Sequence, residues 1–113
     1  MLSLVTAVIK PYMVEAVNEA LKGAGVAGMT ITEVKGFGRQ GGHTETYRGA
    51  EYTVEFVPKV KVEVLVATED ADTIAGVIVA ATQTGKIGDG KIWITPLAQA
   101  TRIRTGEMGI DAV

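Results

Sequence analysis

The segment TGKIGDGK, Thr84 to Lys91, is the part of the sequence whose residue types best suit anion binding. Its three glycines accept backbone turns that bring N–H groups together, and its two lysines add positive charge. The spacing matches a phosphate-binding P-loop. However, Ile92 stands where that motif needs Ser or Thr for Mg²⁺, and the loop runs from a predicted helix to a predicted strand. This excludes a Walker motif and leaves two alternatives, a phosphate-binding loop or a tight helix–strand connection.

The segment RIRTGE, residues 102–107, contains two closely spaced arginines. In an extended chain Arg102 and Arg104 lie on one face, and two forked guanidinium groups side by side suit a polyphosphate. Taken alone, the segment is better explained as a solvated basic edge. Together with TGKIGDGK, it favours a nucleotide as the ligand.

The segment GFGRQGG, residues 36–42, matches the dinucleotide-binding pattern G-x-G-x-x-G, but no helix follows it. It is therefore interpreted as a glycine-rich hinge that carries Arg39 and Gln40. His43 is the only histidine and the chain has no cysteine, so a zinc site is not favoured and His43 is expected to be an exposed loop residue.

The segment YRGAEY, residues 47–52, holds two of the three tyrosines. Alternation around Gly49-Ala50 favours a β-hairpin with exposed tyrosines, and an isolated hairpin is marginally stable. Ordering about 20 residues costs roughly 1–2 kcal/mol each in backbone entropy. We therefore expect the insert to be mobile until a ligand or partner orders it. An exposed tyrosine there suits a modifying enzyme or a partner's pocket.

Composition limits the class of protein. The 113 residues suit a single domain, 1–113, and the net charge of −2 argues against general nucleic-acid binding. The absence of cysteine excludes disulfides and thiol catalysis and fits a reducing compartment. No apolar run is long enough to span a bilayer, and MLSLVTAVIK lacks the basic region of a signal peptide. We expect a cytoplasmic protein.

Hydrophobic periodicity predicts the elements that position these segments. Strands are predicted at 2–10, 28–36, 59–67 and 91–95, and the third places four alternate valines on one face. Helices are predicted at 12–24 and from Asp70, as an N-terminal cap, to Gly85. The order β-α-β, insert, β-α-β predicts a ferredoxin-like α+β sandwich with four antiparallel strands and both helices on one face. Segments 37–57, 85–90 and 97–113 show no helix or strand pattern.

The second face of the predicted sheet also carries apolar residues. The first strand is apolar on both faces, and Trp93 points opposite to Ile92 and Ile94. A second apolar face needs a covering element or a second subunit, and we favour a homo-oligomer.

Three segments together, KGFGRQGGHTETYRGAEY, TGKIGDGKIWI and RIRTGE, resemble the signature segments of the PII nitrogen-regulatory signalling proteins. The resemblance runs from VIKPY to the tail. It implies a non-catalytic sensor built as a homotrimer of ferredoxin-like subunits, whose sheets face the trimer centre and whose three clefts between subunits bind ATP or ADP. It also implies sensing of 2-oxoglutarate through a Mg²⁺ bound to ATP.

The resemblance also implies roles for individual residues. Residues that would hold phosphates are Gly88, Asp89, Gly90, Lys91, Arg102 and Arg104. Residues that would line the adenine and ribose region are Thr30, Gly38 and Leu65. Gln40 would contribute to the metal–oxoglutarate centre, Lys59 would pair with the 2-oxoglutarate carboxylate, and Gly88 would lie in the same site.

Residues 37–57 would be the T-loop of the family, with 85–90 as the phosphate-binding loop and 97–113 as the C-terminal tail. The T-loop would dock onto an ammonium transporter, which would recruit the protein to the membrane, or onto nitrogen-metabolism enzymes or regulators. Tyr52 falls on the position that a nucleotidyltransferase modifies in some members. The sequence does not choose among uridylylation, adenylylation and no modification, nor does it identify the target.

Three positions depart from the family pattern. Ala50 replaces a phosphorylated serine, so that switch is absent. Gly41 replaces a common Lys or Arg, which leaves partner preference open, and Trp93 replaces a frequent Phe.

Two other functions fit the sequence less well. A small phosphatase or ATPase lacks an evident base or nucleophile in this sequence, and an RNA-binding module is disfavoured by the acidic pI near 5.4.

Overall fold

The structure, a computed structural model, describes residues 1–37, 43–47, 50–54 and 56–113, and only the backbone of 43–47 and 50–54. The strands are β1 (Leu2–Ile9), β2 (Thr30–Gly36), β3 (His43–Tyr47), β4 (Ala50–Val54), β5 (Val57–Ala67) and β6 (Lys91–Leu97). The helices are α1 (Val14–Gly23) and α2 (Ala71–Thr82), and single 3-10 turns occupy Pro11–Met13, Thr68–Asp70 and Gly109–Ala112.

The main sheet is antiparallel and has the strand order β2-β5-β1-β6. Strand β1 is central and pairs with β5 from Leu2↔Ala67 to Ile9↔Val60. Because side chains alternate, one face of the sheet presents the core residues that the helices cover. The fully buried residues of the core are Val5, Ala7, Ile9, Val17, Leu21, Val62, Val64 and Ile78.

Each helix packs on the sheet through one apolar face. Helix α1 buries Val17 and Leu21, and α2 buries Ala71, Ile74 and Ile78 at helical spacing. Fully burying one such Val, Leu or Ile side chain contributes about 1.5–3 kcal/mol. The predicted α+β architecture, a four-stranded antiparallel sheet with two helices, is confirmed.

Several predicted boundaries were wrong. Helix α1 begins at Val14, after a 3-10 turn in which Pro11 needs no N–H partner. Asp70 precedes α2 but makes no side-chain capping bond, because its own backbone is already helical. Helix α2 ends at Thr82, before Gly85, because Gln83 turns to an extended conformation.

Strand limits also shift. Strand β2 starts at Thr30, not at residue 28, and β6 continues past residue 95 through Pro96 to Leu97. A proline is tolerated there because β6 lies at the edge of the sheet and pairs only with β1.

Part of the insert, residues 37–57, has strand structure. Strands β3 and β4 pair from His43↔Val54 to Tyr47↔Ala50, which agrees with the hairpin expected around YRGAEY. Ala50, expected in the turn, is the first residue of β4. Predictions about Gly38, Gln40 and Gly41 concern positions outside the described residues. Those about the side chains of Tyr47 and Tyr52 also lie outside what the structure describes.

The sheet face opposite the helices carries Trp93. The register pairs Trp93 with Thr6, whereas Ile92 and Ile94 pair with the core residues Ala7 and Val5. This confirms that Trp93 points away from its two isoleucine neighbours, and the residue is 46% exposed. In the described ranges, no helix has the length and apolar character needed to cross a membrane.

Candidate anion-binding site

The glycine-rich connection between α2 and β6 packs against the end of β1. Gly85, Gly88 and Gly90 have φ values of +81°, +102° and +104°, a region that favours glycine. A Cβ atom at Gly90 would lie 1.8 Å from the carbonyl oxygen of Val8. Glycine at this position is therefore what allows the loop to lie directly on the central strand.

The carboxylate of Asp89 organises this loop from within. It accepts hydrogen bonds from the Thr84 N–H at 2.7 Å, the Gly85 N–H at 2.9 Å and the Thr84 hydroxyl at 2.5 Å. The ammonium group of Lys10, at the end of β1, approaches the same carboxylate at 3.2 Å. The Thr84 hydroxyl and backbone bonds, aided by Lys10, hold the pKa of Asp89 well below its usual range.

A second lysine reaches the loop from β5. The Lys59 ammonium group donates a hydrogen bond to the Gly88 carbonyl oxygen at 2.6 Å. Desolvation, followed by the nearby Lys10 charge, lowers the pKa of Lys59. Two cations, one directly after β1 and one in β5, thus contact the same loop, where one of them is paired with the Asp89 carboxylate, and such an arrangement can attract an anion.

The structure also brings together two residues expected to line the adenine and ribose region. Thr30 and Leu65 line a groove of about 690 Å³ beside the α1–β2 connection. The chain end contributes Ile110, Ala112 and Val113 to the same groove.

The tail segment RIRTGE forms a turn, so the extended conformation that would place Arg102 and Arg104 on one face is absent. A turn is closed by the Arg102 N–H bonding to the Glu107 carbonyl at 2.8 Å and by the Gly106 N–H bonding to the Arg102 carbonyl at 2.7 Å. Gly106 has φ +74°, which permits this reversal of the chain.

The Arg102 guanidinium group interacts with the tail itself. It donates to the Val113 carbonyl at 3.0 Å and lies 3.8 Å from the Glu107 carboxylate. Within the described chain, no hydrogen bond or ion pair joins Arg102 or Arg104 to the 84–91 loop. The contacts of Arg102 are instead made within the tail, to Val113 and Glu107.

Lys59, Gly88 and Asp89 are thus brought together, while Thr30 and Leu65 line a separate groove. Gly38 and Gln40 lie outside the described residues, and Tyr52 is described only as a β4 backbone position paired with Glu45. The described residues contain no group of three His, Cys, Asp or Glu side chains that could hold a metal ion.

Sequence reasoning did not place Lys10 in the site, and it gave Thr84, the first residue of TGKIGDGK, no role of its own. Lys10 is a common residue type at the end of a strand and belongs to no binding motif. The available signal was that Lys10 ends an apolar strand and Thr84 begins the glycine segment.

The family model described as nitrogen regulatory protein P-II matches residues 2–107. The chain belongs to the PII family. PII proteins are regulatory signalling proteins, and two bacterial relatives cover nearly the whole of this PII chain.

One relative is the nitrogen regulatory protein P-II of Cereibacter sphaeroides, 59% identical over 96% of this chain and 97% of its own. Another is nitrogen regulatory protein P-II 1 of Escherichia coli (strain K12), 57% identical over 91% of this chain and 92% of its own. Among solved structures, Arabidopsis thaliana PII bound to citrate superposes with a TM-score of 0.82 at 33% identity, over 99% of this chain and 92% of that one.

Proposed function

We propose that this PII protein is a non-catalytic sensor that binds ATP or ADP and, with Mg-ATP, 2-oxoglutarate. The observation that carries the proposal is the 2.6 Å bond between Lys59 and the Gly88 carbonyl, because it joins a cation to the glycine loop. The loop backbone and Lys91 suit phosphate groups, which are stabilised by converging N–H groups and positive charge.

The proposed nucleotide site is shared between subunits of a homotrimer. In one subunit Arg102 and Arg104 make no bond to the glycine loop within the described residues, so a second subunit is needed to unite them around the phosphates. The groove that Thr30 and Leu65 line would hold adenine and ribose, together with Gly38. Trp93, 46% exposed on the sheet face opposite the helices, gives an apolar surface for the trimer contact.

The proposed 2-oxoglutarate site lies beside Lys59 and Gly88, with Gln40 from the T-loop. The Lys59 ammonium group is partly buried and already close to the loop, so a carboxylate can replace the Gly88 carbonyl as its partner. The relative that binds citrate supports a polycarboxylate ligand for this chain. Since the described residues offer no metal-binding cluster, Mg²⁺ would be held chiefly by ATP and 2-oxoglutarate oxygens, completed by Gln40.

Calorimetry with ATP, ADP and 2-oxoglutarate tests the proposal. We expect 2-oxoglutarate to bind only when Mg-ATP is present, and Lys59→Met to abolish that binding. Lys61→Met is the matched control, because Lys61 lies on the same face of β5 but pairs with Glu63 at 3.9 Å. Tight 2-oxoglutarate binding without nucleotide would show that the proposed order of binding is wrong.

The T-loop, residues 37–57, is the proposed output of the sensor. Its ligand-dependent conformation would control an ammonium transporter, with recruitment of the protein to the membrane, or nitrogen-assimilation enzymes and regulators. Capture of targets by the protein held with Mg-ATP and 2-oxoglutarate, compared with ADP, tests this. Recovery of the same targets in equal amounts under both conditions would contradict control by ligand state.

Tyr52 is the proposed site of nucleotidylation in the T-loop. A nucleotidyl group adds bulk and negative charge, which opposes docking into a narrow partner cavity. We expect Tyr52→Phe to abolish labelling by a cognate nucleotidyltransferase and Tyr47→Phe to leave it intact. Labelling of the Tyr52→Phe protein would disprove the assignment.

A further inference from the structure

We infer that Asp89 is a positioning residue whose carboxylate, held by Thr84 and Lys10, fixes the glycine loop for phosphate and does not itself contact the anion. The inference rests on the proposed nucleotide binding. It assigns roles to Thr84 and Lys10. It also explains why an acidic residue, Asp89, occurs in a loop that binds an anion.

The directions of the hydrogen bonds support this role. The Asp89 carboxylate accepts two backbone N–H bonds, one hydroxyl bond and one lysine bond, and these occupy both of its oxygens. A carboxylate held in this way faces the loop to which it belongs and not the solvent side where an anion would bind. Its negative charge, which would otherwise repel phosphate, is balanced by Lys10 at 3.2 Å.

The same bonds determine which backbone donors remain for an anion. Asp89 engages the N–H groups of Thr84 and Gly85, and the Thr84 hydroxyl oxygen accepts the Lys86 N–H at 3.2 Å. Within the described chain, the N–H groups of Ile87 and Gly88 have no protein acceptor. The hydrogen bonds to Asp89 and Thr84 therefore occupy the N–H groups in the first half of the loop. They leave the N–H groups of Ile87 and Gly88 available to phosphate oxygens.

Two contacts anchor the loop to the sheet on either side. Lys10 joins Asp89 to the end of β1, and Lys59 joins the Gly88 carbonyl to β5. With the backbone at Gly90 lying on Val8, the loop is fixed at three points. A fixed loop loses little conformational freedom on binding, and this pre-organisation raises affinity for the phosphate part of a ligand.

The test compares Thr84→Val, which removes the hydroxyl at constant shape, with Thr84→Ser, which keeps it. Thr84 is exposed, so both variants are expected to fold. Calorimetry with ATP, ADP and adenosine should show that Thr84→Val weakens ATP and ADP about tenfold, the effect of one charge-assisted hydrogen bond. Adenosine affinity should change less than twofold, and Thr84→Ser should bind all three like the wild type.

Asp89→Asn and the double variant with Thr84→Val complete the experiment. If Thr84 acts through Asp89, the double variant should lose no more ATP affinity than Asp89→Asn alone. Additive losses, or equal losses for ATP and adenosine, would overturn the inference while leaving nucleotide binding in place. Failure of the wild-type protein to bind ATP would overturn both the inference and the proposed function.

Discussion

Replacing Gly90 with alanine probes the close contact between the glycine loop and the central strand. The new Cβ would lie 1.8 Å from the Val8 carbonyl oxygen, whereas real Cβ contacts essentially never fall below 3.0 Å. The loop and the strand must therefore move apart until the Cβ and the Val8 carbonyl oxygen are at least about 1.2 Å farther from each other, the difference between 3.0 and 1.8 Å. Strand β1 is held by β5 on one side and β6 on the other, so we expect the loop to move.

Gly85→Ala provides the matched control. Gly85 also has a positive φ, +81° against +104° at Gly90, but no atom lies within 4 Å of the position that a Cβ would take there. Both variants carry the strain of a non-glycine residue at positive φ, about 1–2 kcal/mol, and both lower the entropy of the unfolded chain equally. Only Gly90→Ala adds the clash with Val8.

The extra cost follows from the bonds that the displaced loop would break. We expect the loop to move away from the sheet, and a shift of this size along the 2.6 Å bond from Lys59 to the Gly88 carbonyl would take it beyond hydrogen-bonding distance. A hydrogen bond to a charged group contributes roughly 1.5–3 kcal/mol, and partial exposure favours the lower end. We therefore expect Gly90→Ala to be about 2 kcal/mol less stable than Gly85→Ala.

Guanidinium unfolding followed by circular dichroism measures this difference. All proteins must be compared at one concentration, because the stability of an oligomer depends on it. Equal free energies of unfolding for Gly90→Ala and Gly85→Ala, within about 0.5 kcal/mol, would refute the argument that contact with β1 fixes this loop.

Three further predictions concern the core, the Asp89 network and the open sheet face. Ile78→Ala should lower the free energy of unfolding by about 2–5 kcal/mol by leaving a cavity, whereas Ile103→Ala, at a 99% exposed site, should change it little in the same unfolding assay. Because the folded pKa of Asp89 is lowered, its contribution to stability is present above the usual aspartate pKa of about 3.9 and is lost as pH falls below that value. Unfolding of Asp89→Asn should therefore depend less on acid pH, and parallel pH profiles would contradict this. Trp93→Lys should reduce the mass measured by light scattering if the open face is the trimer contact, and an unchanged mass would argue against that contact.

The sequence predicted the sheet and the helices well because their signals are local and periodic. Alternating valines in β5 and the 3.6-residue spacing of apolar residues in α2 specify which faces are buried. The glycine loop was also recognisable, since clustered glycines and lysines indicate both unusual backbone conformations and anion affinity. Helix ends were less accurate, because Asp70 has the right residue type for a cap but the wrong backbone conformation.

Only the tertiary structure decided which distant residues meet the loop. Lys10 and Asp89 are 79 positions apart, and Lys59 and Gly88 are 29 apart, so no local pattern links either pair. Their contacts exist because the antiparallel sheet sets the end of β1 beside β5, and because Gly90 lacks the Cβ that would hold the loop away from Val8. The sequence identified the loop as an anion-binding candidate. The packing of the loop against β1 and β5 determined its shape and placed Lys10 and Lys59 beside it.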